Sequence, residues 1–312
     1  MKIPLKGSMF LSNPWFVYSS MALFILVFTF PGLYPIITPG LDASYVLAFN
    51  HLAAYDFGAF RDIIFTFGPL GFLKYPLPIG NNLEIGIIWL IIIRLAFIGM
   101  ILYTGHLLGK NRWYVFLLAL VFTNIMHYDQ NIYGIILFSL ILHKLSGKHA
   151  FLATAFILSI IGLFIKINLG FIGFLFCASY VIFDLYIHKN YKKTLVIVAL
   201  SLLAFILIFA ALLGNPFGIF QYYANLYPLV TGNSSALSVY PDNNWIYMIF
   251  LFLIFLAMPL IDRNKDLYFL LIIVALAMFA VFKYSFARQE NVHARHMLDF
   301  LILFVLVLMV FP

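Results

Sequence analysis

Charged residues are scarce in this sequence. Only 9% of its 312 residues are Asp, Glu, Lys or Arg, whereas soluble domains carry about 25%. So few charges cannot cover a surface that faces water, so the composition excludes an ordinary soluble protein. Cysteine is almost absent as well, and the single Cys177 excludes a disulfide within the chain. It lies in an apolar run, where we expect a small buried hydrophobic side chain.

Apolar residues take the place of the missing charges. They make up 65% of the chain, and the mean hydropathy is +1.06. A helix needs about 20 apolar residues to cross a bilayer. The sequence therefore predicts an all-α, polytopic transmembrane helix bundle of about ten spans, forming a single domain over residues 1–312. The predicted spans are 15–37, 85–106, 113–127, 132–146, 150–164, 169–187, 194–213, 245–261, 267–284 and 297–311.

The basic residues indicate the orientation of the bundle. With the N-terminus inside, 11 of the 18 basic residues fall in short inner segments, as the positive-inside rule requires. They are Lys2, Lys6, Lys110, Arg112, Lys144, Lys148, Lys189, Lys192, Lys193, Arg263 and Lys265. We therefore read the net charge of +7 as a topology signal and not as a nucleic-acid surface. Most acids fall on the outer side of the membrane in this topology, which favours a functional outer surface.

Two long outer loops, 38–84 and 214–244, are rich in aromatic residues, glycine and proline, and we expect both to be folded. Within the first, residues 43–60 predict an amphipathic helix lying in the membrane interface. Its apolar face comprises Val46, Phe49, Ala53, Phe57 and Phe60, and Ser44, His51 and Tyr55 lie opposite. The chain stops directly after an apolar helix, so we expect a longer protein to continue beyond it.

Two motifs carry a family resemblance. The segment 65–72 reads FTFGPLGF, and the segment 283–293 reads KYSFARQENVH. They resemble an "FTYGPLGF" segment and a later K-x-x-F-x-R-x-x-x-x-H stretch of a group of bacterial membrane proteins related to the GT-C glycosyltransferases. The order of first helix, outer acid (Asp42) and interfacial helix also resembles the GT-C layout. These enzymes take sugars from polyprenyl-phosphate donors on the outer membrane face.

The resemblance implies roles for particular residues. Asp42 matches the GT-C acid that acts as base toward the acceptor or positions it, and Asp129 matches a second acid in the next outer loop. A base must remove the acceptor proton, and cations must hold the leaving phosphate. The candidates for substrate binding are Lys166, Lys283, Arg288, His293, Asp56, Arg61 and Asp62. The expected partners are a lipid-linked sugar donor and membrane lipid; no cofactor is required, and use of a divalent metal stays open.

Each of these residues also has a structural interpretation. Asp42 could cap the helix that follows it, and Asp129 could be an exposed turn acid. Lys166 could extend along apolar surface to reach water, and the basic cluster of residues 288–296 could anchor lipid headgroups. At the level of function, the alternatives are a transporter or flippase of an envelope lipid and a non-catalytic subunit of an envelope assembly machine.

One charge lies within a predicted span. Arg94 is about nine residues from either end of the span 85–106, too far to reach water easily on either side. We expect it to be buried and to meet a carboxylate, a backbone carbonyl or water.

Overall fold

The computed structural model describes residues 13–30, 41–55, 66–188, 191–236, 249, 253, 265–286 and 291–310. Within these ranges the chain is helical, and its only strand-like feature is an isolated bridge between Phe67 and Lys166. The helices are α1 (Pro14–Thr29), α2 (Leu41–Tyr55), α3 (Asn82–Leu107), α4 (Arg112–Ile125), α5 (Tyr128–Ser146), α6 (His149–Ile165), α7 (Ile167–His188), α8 (Tyr191–Leu213), α9 (Ile219–Ala236), α10 (Lys265–Phe286) and α11 (Asn291–Val310). The prediction of an all-α protein is confirmed.

Local sequence signals set several helix ends. The Asn111 side chain accepts a hydrogen bond from the Trp113 backbone N–H at the start of α4, and Asn13 does the same for Trp15 in α1. These amide side chains satisfy N–H groups that have no partner within the helix. Gly147 ends α5 in the left-handed conformation, with φ 68°, which glycine adopts without a Cβ clash.

Helix α5 is the centre of the bundle. Every residue from Gln130 to His143 is buried, and α5 packs against α3, α6, α7 and α11. Helix α10 packs against α7 and α11 and completes the same core. Because its whole circumference is buried over this stretch, α5 faces other helices on every side.

Helices α6 and α7 form a tight hairpin with one connecting residue, Lys166, whose backbone is extended at φ −154° and ψ 128°. Small residues allow the two helices to approach closely. A Cβ added to Gly170 would lie 2.2 Å from the Leu163 backbone nitrogen, and one added to Gly162 would lie 3.0 Å from the Gly170 Cα. The hairpin therefore depends on glycine at these two positions.

The helices support membrane integration. Three are long and apolar enough to cross a bilayer, within Asn82–Leu107, Ile167–Leu185 and Leu195–Leu212, and five further apolar helices are shorter. Nine of the ten predicted spans overlap helices. Residues 31–37 of the first span lie outside the described residues, as does the span 245–261 except at 249 and 253. The number of spans and the GT-C-like arrangement stay predictions.

The second outer loop contains a helix that the sequence did not predict, α9. Tyr222 and Leu226, four residues apart, bury one face of α9 in a small core with Phe209 and Phe164. Neighbours at this spacing lie on the same side of a helix. Aromatic packing against α8 and α6 therefore stabilises helix in a segment whose polar and aromatic composition resembled a loop.

In the first outer loop, α2 covers the first part of the predicted interfacial helix, and residues 56–60 lie outside the described residues. Phe49 is buried, and Ser44, His51 and Tyr55 are exposed, as predicted. The prediction did not place Asn50 on the buried face of α2, although this side chain is also fully buried. The Asn50 amide is buried because it forms hydrogen bonds with the loop that follows α2.

Candidate functional site

The FTFGPLGF segment docks onto the break between α6 and α7. The Gly68 N–H donates to the Ile165 carbonyl at 3.2 Å, the Leu70 N–H donates to the Phe164 carbonyl at 2.9 Å, and the Ile167 N–H donates to the Thr66 carbonyl at 3.1 Å. Each helix end leaves backbone groups without an intrahelical partner. The motif satisfies them at the α6–α7 junction and so ties the first outer loop to the bundle around Lys166.

The first glycine of this motif, Gly68, is required because its backbone lies very close to the backbone of Phe164. A Cβ added to Gly68 would lie 2.5 Å from the Phe164 carbonyl oxygen and 2.9 Å from the Phe164 carbonyl carbon. Both are backbone atoms, so no side-chain rotation could relieve the clash. The motif therefore has a structural reason for glycine at this position.

The same loop delivers a cation to the first turn of α5. After the short 3₁₀ helix Gly71–Leu73, the Lys74 Nζ donates to both carboxylate oxygens of Asp129, at 2.6 Å and 2.7 Å. The two side chains are only 8% and 13% exposed. This is a nearly buried, two-pronged ion pair, and it joins the predicted outer loop 38–84 to the first turn of α5.

Aromatic rings surround the pair. The Lys74 Nζ lies 5.3 Å from the centre of the Tyr75 ring and 5.9 Å from that of Tyr128. The Tyr128 hydroxyl accepts a hydrogen bond from the Trp89 indole N–H at 2.6 Å. Trp89 is seven residues into α3, about 10 Å along that helix. The turn between α4 and α5 therefore packs against the side of α3, about two turns from the N-terminus of α3.

A second lysine acts on the same carboxylate. Lys166 interacts electrostatically with Asp129, and its Nζ lies 5.2 Å from the centre of the Phe67 ring. Burial alone would raise the pKa of Asp129, but the nearby charge of Lys74, with smaller contributions from Lys166 and His296, keeps that pKa below its ordinary value. Asp129 is therefore a carboxylate held in the ionised state. We call Lys74, Asp129 and Lys166 the lysine–aspartate cluster.

Helix α11 adds further titratable groups beside the cluster. Asp299 is 4% exposed, and its Oδ2 lies 3.8 Å from the Nε2 of His127, two residues before Asp129. His296 is one turn before Asp299 on the same helix. Gln130 and Asn131, which follow Asp129, are buried too. Polar and ionisable groups are thus concentrated where α11 lies beside the start of α5.

A buried asparagine organises the loop that carries Lys74. The Asn50 side chain donates to the Tyr75 carbonyl at 2.9 Å and accepts from the Leu77 N–H at 3.0 Å. Its backbone carbonyl accepts from the Asn82 side chain at 2.8 Å. Asn50 thus connects α2, the loop and the start of α3. Sequence reasoning missed it because a single polar residue between apolar ones gave no distinct signal.

The structure brings together two of the predicted site residues, Asp129 and Lys166. It adds Lys74, a residue of the predicted outer loop 38–84 that was not among the site candidates. Asp129 is mostly buried and ion-paired, so its interpretation as an exposed turn acid is wrong. For three other candidates only the backbone is described: Asp42 in the first turn of α2, Lys283 near the end of α10 and His293 near the start of α11. The remaining candidates, Asp56, Arg61, Asp62 and Arg288, lie outside the described residues.

Arg94 is buried, as predicted, with 8% of its surface exposed. Its Nη1 donates to the backbone carbonyl of Thr123. Thr123 lies in the last turn of α4, which ends at Ile125, and carbonyls in a last turn have no partner within their helix. A cation there also interacts favourably with the helix dipole. Arg94 therefore stabilises the end of α4 just before the turn that leads to Asp129.

Metal ligation finds no support among the described side chains, where no group of three or more His, Cys, Asp or Glu could hold an ion. The resemblance to GT-C enzymes rests on the residues quoted above, and the docked FTFGPLGF segment gives one of those motifs a structural setting. In comparisons with known proteins, no family model matches the chain, and no curated protein or solved structure matches it significantly.

Proposed function

We propose that this chain is a GT-C-like membrane glycosyltransferase of the inner membrane, or a relative of one, with its active face outside. It would move a sugar from a polyprenyl-phosphate donor to a cell-envelope acceptor. The observation that carries the proposal is the convergence of Lys74 and Lys166 on Asp129 beneath the FTFGPLGF segment. Two lysines and an acid from three separate regions of the chain act on one another beside the FTFGPLGF segment, one of the two motifs that carry the resemblance.

The lysines suit the donor's phosphate. When the sugar leaves its carrier, negative charge develops on the phosphate oxygens, and fixed cations in a poorly hydrated site stabilise that charge strongly. Two ammonium groups would be costly to bury without a counter-ion. Asp129 supplies the counter-charge in the resting protein and keeps the Lys74 ammonium in place. An incoming phosphate could then pair with the lysine ammonium groups and replace Asp129 as part of their counter-charge.

Asp129 itself is poorly suited to remove a proton. A carboxylate whose pKa lies below its ordinary value and which binds an ammonium with both oxygens is a weak base. We therefore assign the base to Asp42, the acid that the resemblance places after the first helix, and a positioning role to Asp129. Asp42 lies in the first turn of α2, the helix whose Asn50 organises the loop that carries Lys74.

The experiment is a donor assay on purified protein in nanodiscs. Native mass spectrometry would measure binding of a polyprenyl-phosphate hexose, and release of polyprenyl phosphate would measure turnover in membranes that supply the acceptor. We expect Lys166→Gln to weaken donor binding and Asp42→Asn to abolish turnover while binding persists. Lys110→Gln, in the loop between α3 and α4, is the matched control. Full turnover by Asp42→Asn would refute the catalytic proposal.

A second candidate function follows from the ion pair. Because Asp129 is already neutralised by Lys74, the cluster could recognise a lipid phosphate without catalysing any transfer, as a flippase or an assembly subunit would. That function predicts donor binding that depends on Lys166, no release of polyprenyl phosphate, and full complementation in cells by Asp42→Asn.

A further inference from the structure

A groove lies at the end of the bundle opposite the lysine–aspartate cluster. Its volume is about 360 Å³, and it is lined by His149, Lys192, Val196 and Ile197. His149 begins α6 and Lys166 follows its end, so about 24 Å of helix separates the groove from the cluster. The groove is thus a separate feature, and the positive-inside pattern predicts that it faces the cytoplasmic leaflet.

A hydrogen-bonded chain of side chains leads from the interior to the groove. The Tyr180 hydroxyl is bonded to the Nδ1 of the buried His143, and the His143 Nε2 lies 3.2 Å from the Nδ1 of His149. A neutral imidazole has one donor and one acceptor nitrogen. If Tyr180 donates, His143 Nε2 must donate to His149 Nδ1, and His149 then carries its proton on Nε2. With the hydrogen bonds in this direction, the His149 Nε2–H can donate to a ligand. An anion in the groove would therefore favour this arrangement of the protons.

The wall of the groove continues as an apolar ridge along α8. Val196, Leu200, Leu203 and Leu207 follow at intervals of four, three and four residues, the spacing of one helix face. They are 56%, 58%, 51% and 59% exposed, respectively. A ligand that places an anionic group between Lys192 and His149 can therefore lay a hydrocarbon chain along the same helix.

We propose that this groove binds one anionic phospholipid of the adjacent leaflet, with the headgroup phosphate between Lys192 and His149 and an acyl chain along the α8 ridge. Charge complementarity selects the headgroup, because two of the four described residues that line the groove are basic and none of those four is acidic. The apolar ridge selects a lipid over a soluble phosphate. The site is independent of the proposed glycosyl transfer, which uses the other end of the bundle.

The test uses the whole protein in detergent, titrated with phosphatidylglycerol and phosphatidylcholine of identical acyl chains and observed by native mass spectrometry. We expect the protein to retain one phosphatidylglycerol in preference to phosphatidylcholine. The variant His149→Gln/Lys192→Gln should lower that preference about fivefold or more, since each basic group near an anionic lipid contributes a comparable factor. Tyr180→Phe should lower it less, because it removes only the start of the hydrogen-bonded chain.

A double variant at the same end of the bundle, Lys110→Gln/Arg112→Gln, removes two basic groups from another loop and serves as the control. An equal fall in both double variants would mean that general surface charge attracts the lipid, and the proposed site would be wrong. Displacement of the lipid by millimolar inorganic phosphate would identify a soluble anion as the ligand and overturn the lipid assignment. An unchanged preference in His149→Gln/Lys192→Gln would overturn the proposal altogether.

Discussion

Lys74 and Asp129 are 55 positions apart in the sequence, yet the Lys74 ammonium lies 2.6 Å and 2.7 Å from the two carboxylate oxygens of Asp129. The pair joins the first outer loop to the first turn of the central helix α5. Both side chains are almost wholly removed from solvent. Each charge is therefore stable there only because the opposite charge of its partner compensates for the lost hydration.

This pair predicts an asymmetric mutational result. Lys74→Met or Asp129→Leu alone should destabilise the protein by about 3–5 kcal/mol, because each leaves a buried charge without its partner. Lys74→Met combined with Asp129→Leu should recover most of that loss. Unfolding in detergent, analysed as a double-mutant cycle, measures the coupling. Additive losses would show that the two groups do not stabilise each other.

The lowered pKa of Asp129 predicts a dependence of stability on pH. A carboxyl whose folded-state pKa lies below its unfolded value of about 3.9 contributes stability that is fully present above that value. The contribution is lost as the pH falls through the folded-state pKa. We expect this acid-side loss in the wild-type protein and expect it to be smaller in the double variant. Unfolding midpoints measured from about pH 5 down to about pH 2, a range that includes the pH values below the unfolded-state pKa, would show the difference.

Gly68 offers a clean steric test. Gly68→Ala should weaken the docking of the FTFGPLGF segment, because the new Cβ would lie 2.5 Å from the Phe164 carbonyl oxygen. Gly99→Ala is the control, since a Cβ there meets nothing within 4 Å and alanine favours helix by about 0.5–1 kcal/mol. The hydrogen-exchange rates of the backbone amides at 66–70 measure how firmly the segment is docked. Equal protection in the two variants would contradict the structural role of Gly68.

Arg94 should matter more than an arginine at the surface. Arg94→Leu would leave the Thr123 carbonyl without its donor, at a cost of about 1–3 kcal/mol. Arg112→Leu, at the exposed start of α4, should change stability by less than about 0.5 kcal/mol. Thermal unfolding of both variants in the same detergent compares them. An Arg112 effect as large as that of Arg94 would argue against a buried, specific contact.

Asn50 should control the loop that positions Lys74. Asn50→Leu keeps the side-chain size but removes the bonds to Tyr75 and Leu77, so we expect faster hydrogen exchange over residues 74–82. His51→Leu, one position away on the exposed face of α2, is the control. If exchange in that loop is unchanged by Asn50→Leu, packing and not hydrogen bonding holds it.

Composition and local pattern were enough to predict the class of this protein and the approximate positions of most of its described helices. Long apolar runs must form helices in lipid because no other backbone partners are available. The sequence also indicated that Arg94 had to be buried and bonded, because a charge in the middle of a span cannot be left in hydrocarbon.

Which distant residues approach one another could not be predicted from the sequence. Nothing in the local pattern around Lys74, Asp129 or Lys166 shows that they converge, since their approach depends on how α5, α6 and the first outer loop pack. The same holds for α9, whose helical state depends on Tyr222 and Leu226 packing against Phe209. Ion pairs and aromatic cores between segments far apart in the chain form only when the whole bundle has assembled. Local sequence patterns therefore cannot predict them.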